Sequence, residues 1–274
     1  MSKSRARWMC LILLAIPLVA SADGNPYLLR DINSTFSAAG SGPTELTLVG
    51  SNLFFVAVPF SENELWKTDG TSAGTILVKR LGVAGLNNAG SLAALSPGTF
   101  IFSASNSSGR EPWRSDGTAA GTFGIGDFNP GSPDSMMGRF TVINGVAFYS
   151  GIDPSGGREL WRSDGNQLGT FRVKDINPGP SGSNPSGMIV MNGVLYFSAD
   201  DGTHGTELWR SDGTEAGTFM VKDINPSGSS VPLFLPAAVG SLLYFAASDG
   251  SSGFELWKSD GTAAGTVRVS DIAP

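Results

Sequence analysis

Cysteine is all but missing from this chain, and its one example, Cys10, lies in the first 22 residues. Disulfide staples, thiolate metal sites and cysteine nucleophiles are therefore not expected. Histidine is as scarce: His204 stands alone in a polar stretch, which removes the usual partners for zinc binding or for a serine triad. Positive charge is also short. Without Lys3, Arg5 and Arg7, 15 basic residues face 24 acidic ones, a net charge of −9, and no cluster of Lys and Arg offers a face for phosphates. Nucleic acid is not an expected partner. The chain lacks any run of roughly 18 uninterrupted apolar residues and any sustained helical periodicity, so neither a membrane-spanning helix nor a helical domain is expected.

What is present begins with an export signal. Lys3, Arg5 and Arg7 precede an apolar run from Met9 to Ala20, and Ala20-Ser21-Ala22 is a small-residue cleavage site. Residues 1–22 read as the signal, and 23–274 as the mature protein, extracellular or periplasmic and without membrane insertion once the signal is removed. Cys10 follows Arg7-Trp8-Met9, not the small and aliphatic residues of a lipoprotein site. An apolar content of 41% is enough to build a core.

The dominant feature is an internal repeat. Trp66, Trp113, Trp161, Trp209 and Trp257 are spaced 47, 48, 48 and 48 residues apart, in the segments ELWKTDGTSAGT, EPWRSDGTAAGT, ELWRSDGNQLGT, ELWRSDGTEAGT and ELWKSDGTAAGT. Each unit parses into four short extended segments. In the fourth, Met188–Met191 and Val194–Ala199 flank the hairpin dipeptide Asn192-Gly193; Glu207–Ser211 and Phe219–Ile224 flank Asp212-Gly213-Thr214. Second strands such as Leu53-Phe54-Phe55-Val56 are apolar on both faces, as suits a strand sandwiched between neighbouring sheets. Four strands in each of five such units predict an all-β fold, a β-propeller of five blades. The segment 27–32 copies a fourth strand, with Arg30-Asp31-Ile32 matching Lys174-Asp175-Ile176. It is expected either to complete the last blade in place of Val267–Ile272 or to be a surplus edge.

On the motif just quoted, the chain resembles the ELWxxDGT repeat proteins, a family of exported bacterial proteins, over nearly all of its mature length. The resemblance implies repeat architecture and export; it carries no activity and no catalytic residues. The strand layout is also similar to kelch repeats, without their glycine pair. Departures from the motif are Pro112 for Leu and Asn166-Gln167-Leu168 for Thr-x-Ala.

The candidate residues divide into repeat signature and exceptions. The five tryptophans could stack on sugars, but one Trp at a fixed strand position per blade reads first as inter-blade packing. Asp69, Asp116, Asp164, Asp212 and Asp260 place a carboxylate on each tight turn. Calcium is conceivable there, yet the spaced carboxylates of a calcium loop are missing and an Asp-Gly turn explains the motif without metal. The Glu before each Leu-Trp and the Lys or Arg after it are expected to form ion pairs with adjacent strands or blades, including the recurrent Asp31, Asp127, Asp175, Asp223 and Asp271, where the first unit has Arg80. No catalytic constellation and no metal site is visible. The exceptions Asn166, Gln167 and His204 are the candidate ligand contacts. The expected function is a non-enzymatic binding module for a glycan or a cell-envelope protein; the alternatives are a carbohydrate-active hydrolase, needing two paired acids, and a structural or adhesive repeat protein associating through open edges.

Overall fold

The computed structural model describes residues 28–32, 40–58, 62–81, 90–131, 134–230 and 236–272. The export signal expected at residues 1–22 and the first residue of the N-terminal segment, Tyr27, lie outside them. The strands form five antiparallel four-stranded sheets, each in sequence order. Blade 1 holds β1 (Thr44–Val49), β2 (Asn52–Ala57), β3 (Glu64–Thr68) and β4 (Ile76–Arg80). Blade 2 holds β5 (Gly90–Ser96), β6 (Thr99–Asn106), β7 (Gly109–Ser115) and β8 (Phe123–Gly124). Blade 3 holds β9 (Met136–Ile143), β10 (Val146–Asp153), β11 (Gly156–Ser163) and β12 (Phe171–Lys174). Blade 4 holds β13 (Ser186–Met191), β14 (Val194–Asp200), β15 (Thr206–Ser211) and β16 (Phe219–Lys222). Blade 5 holds β17 (Ala237–Val239), β18 (Leu242–Ser248), β19 (Phe254–Ser259) and β20 (Val267–Arg268). First strands of successive blades pack side by side, β1 with β5, β5 with β9, β9 with β13 and β13 with β17. This is a β-propeller of five blades.

Local chemistry sets the hairpins. At Asn144-Gly145 and Asn192-Gly193 both residues take positive φ, 50° and 81° in the first turn and 52° and 74° in the second, the mirror-image turn whose twist matches the flanking strands. The Asp-Gly-Thr turns are closed hydrogen-bond networks. Asp212 Oδ1 accepts from Thr214 N at 2.9 Å and Thr214 Oγ1 at 2.7 Å; Gly217 N donates to Thr214 Oγ1, and Thr218 Oγ1 donates to Thr214 O and bonds Ser211 Oγ. The same pattern recurs around Asp116 and Asp260.

Packing between blades follows the two-residue period of the strands. On β2, Phe54 and Val56 face forward to blade 2, while Phe55 and Ala57, with Trp66, face backward. At the junction of blades 4 and 5, Tyr196, Leu208, Val221 and Ile224 form the forward face and Leu243, Phe245, Ala247 and Trp257 the backward face that covers it. The junctions of blades 1 and 2 and of blades 3 and 4 repeat this pairing. All five tryptophans are buried on backward faces.

The N-terminal segment does not complete blade 5. Residues 28–32 lie on the backward face of blade 1: Ile32 packs on Phe55, Ala57 and Trp66, Arg30 donates to Thr75 O at 2.6 Å and lies over the Trp66 ring, while β19 keeps its own β20. Neither expectation describes what is seen: residues 28–32 form no strand and pair with no sheet edge, and cover part of the backward face of blade 1 instead.

Candidate functional site

The acid and base that flank each Trp do not pair as the sequence suggests. Glu159 is buried at the start of the β11 tryptophan strand, where the connector to blade 4 turns back over it. Its carboxylate accepts from Ile176 N, Asn177 N and Ser183 N at 3.1, 3.1 and 2.9 Å, and from Ser183 Oγ at 2.5 Å. Glu111 and Glu207 hold their connectors in the same way. Connector N–H groups without strand partners need an acceptor more than the glutamate needs a cation, so these acids latch the loops. Burial pushes the carboxyls of Glu159 and Glu207 above the ordinary range and that of Glu111 up to about 7. Among the described residues only blade 1, with Arg80, pairs its glutamate: Arg80 Nε lies 3.0 Å from Glu64 Oε1. The cations reach forward instead, Lys67 to Gly117 O at 2.9 Å, Arg162 to Gly213 O at 3.2 Å and Arg210 to Gly261 O at 3.4 Å. Asp175 and Asp271 pair with Arg172 and Arg268, which stand three residues before them.

Antiparallel strands put the first and third hairpins of a blade at one end of the propeller and the second hairpin and the connectors at the other. Asn166 and Gln167 are in the third hairpin of blade 3, and His204 in the second hairpin of blade 4, so the three candidates occupy opposite ends and form no common site. Asn166 Oδ1 accepts from Arg114 Nη1 at 3.1 Å, a bond that joins blades 2 and 3. His204 Nδ1 lies 2.8 Å from Asp201 Oδ2, which holds the imidazole pKa above its ordinary value. The counterpart loop in blade 5 builds the same turn on Asp249 with Ser252 in place of the histidine. The tryptophans offer no free face for a sugar. Among the described residues no three of His, Cys, Asp and Glu come together.

A different place stands out. At the connector end, blade 3 and the connectors on either side of it form an open cleft of about 430 Å³. It is lined by Asn129, Asp153, Gly157, Arg158, Ser181 and Asn184, together with Ile152, Pro154 and Pro180. One close backbone crossing and one left-handed residue shape it: a Cβ on Gly157 would meet Gly182 N at 2.1 Å, and Asn184 is held at φ 50°. Arg158 Nε is buried with no partner among the described residues, whereas its counterpart Arg110 donates from Nε and Nη2 to Ser103 Oγ. Asp153, the one carboxylate of the lining, lies 3.5 Å from Arg172 Nη1. Nothing in the repeat marks Arg158 as different from Arg110.

No family model matches the chain, and no curated protein does. Solved structures do. A puromycin-hydrolyzing peptidase from Mycobacterium tuberculosis superposes with a TM-score of 0.53 at 14% identity, over 90% of this chain and 40% of the peptidase. A mutant puromycin hydrolase complexed with PGG gives a TM-score of 0.50 at 14% identity, over 84% of this chain and 38% of the hydrolase. TolB from Acinetobacter baumannii gives 0.43 at 15% identity, over 77% of this chain and 50% of TolB. The chain thus spans half or less of the length of each, and the likeness is one of fold.

Proposed function

We propose that the protein is an exported binding module of the ELWxxDGT repeat kind, without catalytic activity of its own, that holds a glycan in the cleft at Arg158. The observation that carries this reading is the buried, unpartnered Nε at the wall of a polar cleft. A guanidinium there gains most from an oxygen-rich ligand, above all a sugar carboxylate, which fits its donor fork. Asn129, Asn184 and Ser181 supply the mixed donors and acceptors that hydroxyl groups require. A hydrolase of the two-carboxylate type would need a second acid beside Asp153; the cleft lining holds none.

Calorimetric titration of the mature chain with neutral and uronic-acid-containing oligosaccharides tests this. Expected is binding of the acidic members, with affinity lowered at least tenfold in Arg158→Ala, roughly 1.4 kcal/mol, at unchanged melting temperature. Equal affinity in Arg158→Ala would refute the site, and release of new reducing ends during incubation would refute the non-enzymatic reading.

A further inference from the structure

The repeat makes every blade's forward face a match for the next blade's backward face, and on blade 5 no described residue covers that forward face. Leu256 is 39% exposed where Leu65, Leu160 and Leu208 are fully buried. Val269 is 45% and Ile272 71% exposed, against 5% for both Val221 and Ile224 in blade 4. No described hydrophobic cluster joins blade 5 to blade 1.

Blade 1 shows the other half of the same junction. The glycines of the Asp-Gly-Thr turns abut the blade before them: a Cβ would meet Phe54 at 2.9 Å from Gly117, Phe148 at 3.1 Å from Gly213 and the Tyr196 hydroxyl at 2.1 Å from Gly261. At Gly70 it would meet nothing within 4 Å. Among the described residues, 28–32 alone cover blade 1's backward face, in the place that the segment after a fourth strand takes in the internal junctions. Arg30 donates to Thr75 O as Lys174 and Lys222 donate to Thr218 O and Thr266 O, and Ile32 sits where Ile176 and Ile224 sit in their junctions.

We propose that the forward face of blade 5 is an interface for blade 1 of a second copy of this chain, docked in the register of the internal junctions, with residues 28–32 as the segment it displaces. Both halves of the register are present. Tyr244 occupies the position of Phe54, Phe148 and Tyr196, and would fill the space over the partner's turn at Gly70. Lys258 occupies the position from which Lys67, Arg162 and Arg210 reach a turn carbonyl. Val269, Asp271 and Ile272 repeat Leu29, Asp31 and Ile32, with Ser270 in the place of Arg30, so the two segments compete for one slot. The contact is heterologous, each copy using a different face, and it builds head-to-tail assemblies.

Sedimentation velocity over a wide concentration range, on the mature chain and three variants, is the test. Wild type is expected to self-associate as concentration rises. Ile32→Asp, which weakens the competing segment, should associate at a concentration at least tenfold lower; Leu256→Arg, at an exposed position, should abolish association. Should Ile32→Asp fail to fold, Arg30→Ala removes the hydrogen bond and the cation over Trp66 and should shift association in the same direction. A wild type that stays monomeric throughout overturns the proposal, whether the variants fold or not. So does association indifferent to Leu256→Arg, and so does an Ile32→Asp variant that becomes a more compact monomer by closing on its own blade 1.

Discussion

Glu111 gives the sharpest quantitative test of the latch. One carboxylate oxygen, Oε2, accepts from both Phe128 N and Ser135 Oγ, while Oε1 is buried with no partner among the described residues. A proton on Oε1 removes the buried charge at no cost to either hydrogen bond, which is the physical reason the carboxyl titrates near 7 and not near 4.5. The sign follows from linkage. The folded state binds this proton more tightly than the unfolded chain, so its contribution to stability is complete below about pH 4.5 and lost as pH rises to about 7. The difference corresponds to roughly 3 kcal/mol. Glu111→Gln replaces the acid by a neutral group of the same shape that keeps an acceptor for Phe128 and Ser135. Urea unfolding followed by tryptophan fluorescence from pH 4.5 to 8 should show the variant close to wild type at pH 4.5 and more stable by up to about 3 kcal/mol at pH 8. Glu159 and Glu207 are raised by the same burial, so a residual slope of the same sign should survive in the variant. An unchanged pH dependence, or a variant weaker than wild type at pH 8, would show that Glu111 is held as a charged acceptor.

Further tests address the packing. Trp209→Ala should cost about 3–5 kcal/mol, because it empties the backward face against which Leu160 and Val173 pack, and differential scanning calorimetry would read the loss as a fall in melting temperature. Gly70→Ala and Gly261→Ala share a strained φ, 92° and 91°, worth about 1–2 kcal/mol each. Only Gly261→Ala adds a clash with the Tyr196 hydroxyl, so it should be clearly the less stable of the two by denaturant midpoint; equal losses would mean that Gly70 is packed as well.

Much of this fold could be read before any coordinates were known, because the information is periodic. The tryptophan spacing fixes the blade length, Asn-Gly and Asp-Gly fix the reversals, and the apolar second strands betray sheets buried on both faces. In the fourth unit, expected and observed strands agree within two residues at every end. The role of the charges is not legible in the same way. The Glu and the Lys or Arg that flank each Trp read as ion-pair partners for adjacent strands or blades, yet in blades 2, 3 and 4 the glutamate serves backbone donors in a connector that has no sequence period of its own. A signal existed: a serine recurs 24 residues after Glu111 and Glu159, at Ser135 and Ser183, inside the connector that each acid latches. Strand parity could likewise have separated Asn166 from His204 without a structure. The Arg158 cleft could not have been found this way, since it depends on the crossing of irregular segments at Gly157 and Gly182.

A perfectly repeated propeller would present identical acids, turns and faces five times, and a ligand would have no reason to prefer one blade. Function in such a scaffold must lie where the repetition fails. Blade 1 fails by exchanging Asp for Arg80 and by borrowing residues 28–32 as a cover. Blade 3 fails twice, at Asn166, where a turn hydroxyl gives way to a bond between blades, and at Arg158, where an arginine loses the serine contact that Arg110 keeps. Blade 5 fails by having no cover among the described residues. These exceptions sort by place: those of blades 1 and 5 lie on the two faces of a single unmade junction, and Arg158 opens on the connector end. The proposed assembly and the proposed ligand binding therefore draw on separate surfaces, and a substitution such as Leu256→Arg should change the first while leaving the second intact.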